Sequence, residues 1–287
     1  MTRELPFNVE PLDATFGAVV TDLTLAEIDD VAFQALYRTW LDHSLLIFPG
    51  QHLSHQQQIA FARRFGALEF DIAPISNVTP GGQLRSADGD PLVRALKGNQ
   101  GWHCDSTYMP VQAKGAVFTA HVVPPAGGET GWADMRAAYD ALDPAMQAGI
   151  ASLSAYHSIN HSQAKLDGER AEGDGYTGYG AGVKDPPLRP LVKIHPETGR
   201  KTLMIGRHAF GVPGLSEADS ESLLNDLVEF ACQPPRIHHH RWTPGDAVVW
   251  DNRSLMHRGC PWDMTLPRIM QHSRIAGDPV AEFAAHA

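Results

Sequence analysis

The sequence predicts a β-rich α+β fold in which helices wrap a core of short strands, and three observations carry that prediction. Helical and extended signals are mixed along the whole length, with no internal repeat and no low-complexity tract. Most of the chain outside a few helical stretches reads as short apolar runs punctuated by Gly, Pro and Asn. With 287 residues, 43% hydrophobic and 20% charged, the chain can bury one large core, so a single domain over residues 1–287 is expected.

In chain order, Thr24-x-x-Glu27 forms a capping box ahead of Ile28, Val31, Leu36, Trp40 and Leu41, which recur at helical spacing and predict a helix over 25–42. Residues 45–48 follow as a strand closed by Pro49-Gly50. Ser54-x-x-Gln57 then opens a second helix through Ile59, Phe61, Ala62 and Phe65. Further helices are predicted from Asp134 and from Ser216 to about Phe230. Segments 191–194 and 202–205 flank Pro196-Glu197-Thr198-Gly199 and read as a hairpin. Two loops are long enough to be lids or disordered segments: 76–101, with Pro80-Gly81-Gly82 and Asp88-Gly89-Asp90, and 163–187, with six glycines.

The charge balance excludes one class of partner. Against 33 acidic residues stand 23 Lys and Arg, a net charge of −10, whose field repels nucleic acid. The apolar run Leu45-Leu46-Ile47-Phe48 is far too short to span a bilayer, and the start of the chain lacks a signal-peptide pattern, so no membrane association is expected. Cys104, Cys232 and Cys260 are odd in number and widely spaced, which suits a reducing cytoplasm and offers neither a disulfide framework nor a zinc motif. The unusual entry in the composition is 15 histidines, more than the 11 phenylalanines.

Most of these histidines have a structural explanation. His195-Pro196-Glu197 reads as the corner of the hairpin. His157 and His161 have the spacing of a helical zinc pair, but Ser158 stands where a metalloprotease needs glutamate. His238-His239-His240 reads as a partly exposed strand whose middle ring points opposite to its neighbours.

His103-Cys104-Asp105 differs through its company. In extended backbone, residues 103 and 105 point to one side and Cys104 to the other, so an imidazole and a carboxylate can grip one ion. His257, after the apolar run 247–250 and the Asp251-Asn252-Arg253 turn, is the candidate third ligand. Two neutral imidazoles and one carboxylate leave half an octahedron open on a divalent ion, the arrangement of non-haem Fe(II) oxygenases. The segment from Arg268 to Arg274 alternates as a strand does, which sets Arg268, Met270, His272 and Arg274 on one face. Guanidinium forks there make an anion site inside an acidic chain.

Together these residues resemble the taurine and 2,4-dichlorophenoxyacetate dioxygenase family. The resemblance rests on Trp102-His103-Cys104-Asp105-Ser106-Thr107, Gly127-Gly128-Glu129-Thr130, and Trp250-Asp251-Asn252-Arg253 with His257 and Arg268. Order and spacing match: Asp105 to Thr130 is 25 positions and His257 to Arg268 is 11. Gly115-Ala116-Val117-Phe118, the segment 134–140 and Ile205-Gly206-Arg207-His208-Ala209 are most similar to the phenoxyalkanoate branch, of the (S)-2-phenoxypropionate type.

The resemblance implies a double-stranded β-helix, or jelly roll, with Fe(II) held by His103, Asp105 and His257. It implies 2-oxoglutarate and O2 as cosubstrates, the distal carboxylate of the former on Arg268 and Thr130 with Trp250 nearby. The implied reaction hydroxylates the carbon next to the ether oxygen of an aryloxyalkanoate and releases a phenol and a keto or aldehyde acid, with succinate and CO2 as coproducts. Where the taurine enzyme carries an arginine four residues after the cosubstrate arginine, this chain has His272. Candidates for the substrate anion are therefore His272, Arg274, Arg207 and His208. An S preference and a homo-oligomer are further expectations. Alternatives that stay open are the same chemistry on a sulfonate, alkyl sulfate or amino-acid derivative, a non-catalytic cupin-like binding barrel, and a zinc hydrolase.

Overall fold

The computed structural model describes residues 5–86, 90–166 and 178–284. Its strands are β1 (Asn8–Pro11), β2 (Ala18–Thr21), β3 (Leu45–Phe48), β4 (Leu68–Ser76), β5 (Gly115–Val122), β6 (Thr130–Asp134), β7 (Ser154–His157) and β8 (Leu188–Pro190). They continue with β9 (Val192–Ile194), β10 (Lys201–Leu203), β11 (Ala209–Phe210), β12 (Ile237–His240), β13 (Ala247–Asp251), β14 (Leu255–Gly259) and β15 (Ile269–Ile275). The helices are α1 (Asp30–His43), α2 (His55–Arg63), α3 (Pro91–Gly98), α4 (Met135–Ala141), α5 (Pro144–Ile150), α6 (Ile159–Leu166) and α7 (Glu217–Ala231).

A seven-stranded sheet in the order β1-β2-β3-β13-β5-β15-β4 forms one wall, and a three-stranded sheet β12-β6-β14 forms another. Strand period explains why the large sheet is apolar on both faces. Leu46, Phe48, Val117, Val249 and Ile275 point to a core shared with α1 and α2, which contribute Phe33, Leu36, Trp40 and Phe61. Leu45, Ile47, Phe118, Val248, Trp250 and Met270 point the other way and meet Trp132 and Leu255 of the small sheet. A third cluster behind the small sheet joins Met135, Ala138, Leu224 and Leu227 of α4 and α7.

The second predicted helix starts as expected, with the Ser54 hydroxyl and the Gln57 side chain exchanging hydrogen bonds with each other's backbone N–H. Asp134 caps α4, Ser216 caps α7, and β9 pairs with β10 as the predicted hairpin. The first helix requires a correction. Thr24 makes no side-chain cap, residues Leu25–Glu27 form one 3-10 turn, and α1 begins at Asp30 under the Asp29 carboxylate, which accepts from Ala32 N at 2.8 Å. The buried stripe is accordingly Phe33, Leu36 and Trp40, while Val31 is 61% exposed. The loop expected over 76–101 contains α3, begun by Pro91 at its first turn and capped by Asp90. The second long loop starts late, because its first residues finish α6; its centre, 167–177, lies outside the described residues. His157 ends β7 whereas His161 sits in α6, so the two never share a helix.

Candidate active site

The chain returns from α3 along β14, and two reciprocal backbone hydrogen bonds set the candidate ligands side by side. His103 N donates to His257 O at 3.0 Å and His257 N to His103 O at 2.7 Å. The next turn is clamped by Asn252, between β13 and β14. Its Oδ1 accepts from Asp105 N at 2.7 Å, and its Nδ2 donates to Asp105 O and Ala113 O, each at 2.9 Å. Cys104 turns away into the core behind the small sheet, as the extended reading required.

One ligand atom from each of His103, Asp105 and His257 lies within 4.8 Å of the others, and all three residues are buried. A divalent ion fits this set. His103 Nδ1 bonds to Gly101 O at 2.7 Å, which leaves Nε2 as the free lone pair. Asp105 Oδ2 is buried and accepts no hydrogen bond, with His257 Nε2 3.8 Å away. A carboxylate oxygen in that position is costly without a cation. Burial, reinforced by the adjacent His257, pushes the His103 imidazole well below its ordinary range, and burial lowers His257 too; both are neutral, as a metal ligand must be. Burial alone would raise the Asp105 carboxyl, but Arg274 first, then His257, His272 and His103, hold it well below the usual carboxylate range.

The opposite end of the site is built around Arg268, just before β15. Its Nε and one terminal nitrogen donate to Gly128 O at 3.2 and 3.0 Å, and its guanidinium stacks 5.2 Å from the Trp262 ring centre. Gly128 has φ +73°, and a Cβ there would sit 3.1 Å from Arg268 Nε, so glycine is what lets the loop close over the side chain. Burial lowers the Arg268 pKa to about 10, so it remains charged at neutral pH. Among the described residues no carboxylate forms a salt bridge with it, and the Glu129 charge acts on it only from a distance, as a smaller influence than burial. Thr130, opening β6, accepts from Trp242 Nε1 at 3.0 Å, which leaves its own hydroxyl hydrogen for an acceptor.

Both ends open into one cavity of about 1010 Å³, lined by His103, Asp105, His257, Thr130 and Arg268. Trp250, His208, His272 and Arg274 line it as well; Arg207 does not. Trp250 stacks on His272 at 5.7 Å between ring centres, and burial lowers His272 to about 3. His208 bonds through Nδ1 to Ser162 Oγ at 2.8 Å and stands edge-on to His103. Arg207 instead lies against Gly98 and Gly101 and donates to Ser162 O, bridging α3 to α6. Arg274, expected to meet a substrate anion, donates to Asp105 Oδ1 at 2.8 Å and to Ser106 Oγ at 3.2 Å.

Several wall residues carry no sequence signal of their own. Phe70, Tyr108 and Tyr179 are aromatic residues from three separated segments, and Leu92 and Leu96 come from α3. Only the Asp90-Pro91 start of α3 could have been read as a helix signal, because a cap followed by Pro is local chemistry.

The profile described as "Taurine catabolism dioxygenase TauD, TfdA family" matches residues 8–273. Among characterised proteins, the (S)-phenoxypropionate/alpha-ketoglutarate-dioxygenase of Sphingobium herbicidovorans is 62% identical, over 97% of this chain and 98% of its own length. The enzyme of the same name from Delftia acidovorans is 56% identical, over 97% of this chain and 98% of its own. Among solved structures, AAD-2 in complex with Mn(II) and N-oxalylglycine superposes with a TM-score of 0.88 at 34% identity, covering 98% of this chain and 99% of that one.

Proposed function

This chain belongs to the TauD/TfdA dioxygenase family, and on that premise we propose that it is an Fe(II)- and 2-oxoglutarate-dependent dioxygenase acting on aryloxyalkanoates of the phenoxypropionate or phenoxyacetate type. The observation that carries the reading is that one cavity has an orphan carboxylate oxygen between imidazoles at one end and an unpaired buried guanidinium at the other. A dianionic cosubstrate answers both, because it needs a metal charge at its keto-acid end and a guanidinium at its distal end.

In this reading His103, Asp105 and His257 hold Fe(II), and the metal with 2-oxoglutarate and O2 supplies the oxidising chemistry. Arg268 and the Thr130 hydroxyl hold the distal carboxylate, and Trp250 walls the site. His208 and His272 face the substrate carboxylate, while Arg207, outside the cavity lining, acts on His208 only through its charge. Apolar and aromatic residues such as Phe70, Ile75 and Leu92 exclude water around the aryl ring. The chain sets the substrate carbon next to the ether oxygen toward the metal. The hydroxylated product, a hemiacetal or hemiketal, collapses to a phenol and glyoxylate or pyruvate.

The finer structural readings are proposals of the same kind. We take the β13–β5–β15 part of the large sheet and the β12–β6–β14 sheet as the two walls of a jelly roll, supported by their antiparallel pairing and the shared core between them. A single domain over 1–287 is supported by a family match that runs through both sheets. A cytoplasmic location is supported by three free cysteines. Among the described residues no helix is long and apolar enough to cross a membrane.

Anaerobic addition of Fe(II) and 2-oxoglutarate is expected to give the weak visible band of the metal–cosubstrate chelate, absent in His257→Ala. A panel of chiral phenoxy acids is then expected to release phenol, faster for S than for R. Sulfite or sulfate release without phenol would move the substrate to a sulfonate or sulfate ester, and no oxygen uptake above the protein-free rate would leave a binding barrel.

A further inference from the structure

Arg274 lies on β15 six residues beyond Arg268, close enough to the metal end to choose between a bound anion and a protein carboxylate. It has chosen the carboxylate. We infer that Arg274 is a positioning residue for Asp105 and does not anchor the substrate, and that Glu69 and Tyr179 extend its grip from the metal end to the wall of the substrate chamber. The inference rests on the metal reading above and adds to it residues with no ligand role.

The geometry divides the two oxygens of Asp105. Oδ1 accepts from Arg274 at 2.8 Å, while Oδ2 has no hydrogen-bond donor and faces His257 Nε2 at 3.8 Å and His272 Nε2 at 3.5 Å. One oxygen is thereby tied to the protein and the other is presented to an ion, which fixes the carboxylate plane. A guanidinium already paired with a buried carboxylate also offers little net charge to a second anion.

The guanidinium is itself held on several sides. Its second terminal nitrogen donates to Ser106 Oγ at 3.2 Å, and Ser106 in turn donates to Glu69 Oε2 at 2.8 Å. Tyr179 donates its hydroxyl to the same Glu69 oxygen at 2.9 Å, and Glu69 lies 3.9 Å from Arg274. The rings of Phe70 and Tyr179 lie 4.8 and 5.4 Å from the guanidinium carbon. Ser106 has φ +56°, a left-handed conformation uncommon for a side-chain-bearing residue. It turns the chain directly after Asp105 and brings the hydroxyl into this network, so local strain is spent on joining the ligand loop to β4 and β15. Phe70 and Tyr179 also line the cavity, so a ligand packed against them presses on the same assembly that orients Asp105.

The test separates metal positioning from substrate anchoring. Metal-free full-length protein is titrated with Mn(II), followed by the resonance signal of the free ion, for wild type, R274Q, R274K, E69Q, Y179F and H257A, with circular dichroism as the folding control. R274Q is expected to weaken Mn(II) binding roughly 10- to 100-fold, with partial recovery in R274K and smaller losses of the same sign in E69Q and Y179F. Wild-type Mn(II) affinity in folded R274Q or R274K, with only the substrate KM raised, would overturn the inference. Should neither arginine variant fold, unchanged Mn(II) affinity in both E69Q and Y179F overturns it and weakened affinity supports it. Wild type that binds no Mn(II), or H257A that binds it as wild type does, overturns the metal reading and this inference with it. That result is distinct from intact wild-type binding that ignores residue 274.

Discussion

Arg268 and Arg274 are both buried, both on or beside β15, and electrostatically opposite. Arg274 has a carboxylate at 2.8 Å, and although burial opposes it, Asp105 and its neighbours push its pKa above the ordinary arginine range. Among the described residues Arg268 contacts a backbone carbonyl and an indole face and forms no salt bridge; burial lowers its pKa, with Cys260 and Glu129 opposing that only in part. The difference separates a cation satisfied within the protein from one that the proposed function assigns to a ligand. A buried charge satisfied internally is part of the scaffold, whereas one left unpaired is tolerable only where its partner arrives from outside.

That contrast can be broken by replacing each arginine with methionine. R274M leaves Asp105 as an uncompensated buried charge and is expected to cost about 3–5 kcal/mol of stability in the metal-free protein, measured by chemical denaturation. R268M removes an unpaired cation, so stability is expected to hold or rise. Its cost falls instead on 2-oxoglutarate, whose binding is expected to weaken by about 2–5 kcal/mol in calorimetric titration. Equal destabilisation by the two substitutions would refute the contrast.

A third buried base sharpens it. His157 is buried with both ring nitrogens unpartnered, and burial, aided by Arg189, lowers its pKa to about 3. It has escaped the problem by staying neutral. Because the unfolded chain binds a proton near pH 6.5 and the folded one only near 3, stability is expected to fall with acidification across that interval. The contribution is up to about 1.4 kcal/mol per pH unit, and His157→Phe should remove it from the pH dependence of unfolding.

The smallest expected effects concern the two capping boxes. Ser54→Ala should cost about 1 kcal/mol by thermal melting, because Ser54 closes a real box. Thr24→Ala should stay within about 0.5 kcal/mol, since that hydroxyl caps nothing.

These caps show how far local reading extends. Both boxes have the same pattern, yet α1 starts at Asp30, where the Asp29 carboxylate caps it and the packing of Phe33, Leu36 and Trp40 against the large sheet holds it. The candidate triad could be proposed from sequence because its residues lie in two short motifs whose alternation and spacing are local, and the structure brings their ligand atoms within 4.8 Å of one another. The cosubstrate role of Arg268 came from the family resemblance. The pairing of Arg274 was not, since same-face geometry on a strand says which residues share a wall and nothing about which carboxylate will reach them. Arg207 shares a motif with His208 yet projects toward α3 and α6, a direction set by Gly98 and Gly101 leaving room for it. Glu69 and Tyr179 are 110 positions apart and meet only on the surface of the folded sheet.

By itself the sequence determined the β-rich class, the hairpin and most helix starts, because periodicity and caps act within a few residues. It also pointed to the candidate donor set of the metal end, because imidazole and carboxylate chemistry is intrinsic to the side chains. The tertiary structure decided which charges are spent on the protein and which stay free. That outcome depends on burial and on partners far away in the chain, and desolvation makes it too large an energy for a motif to override.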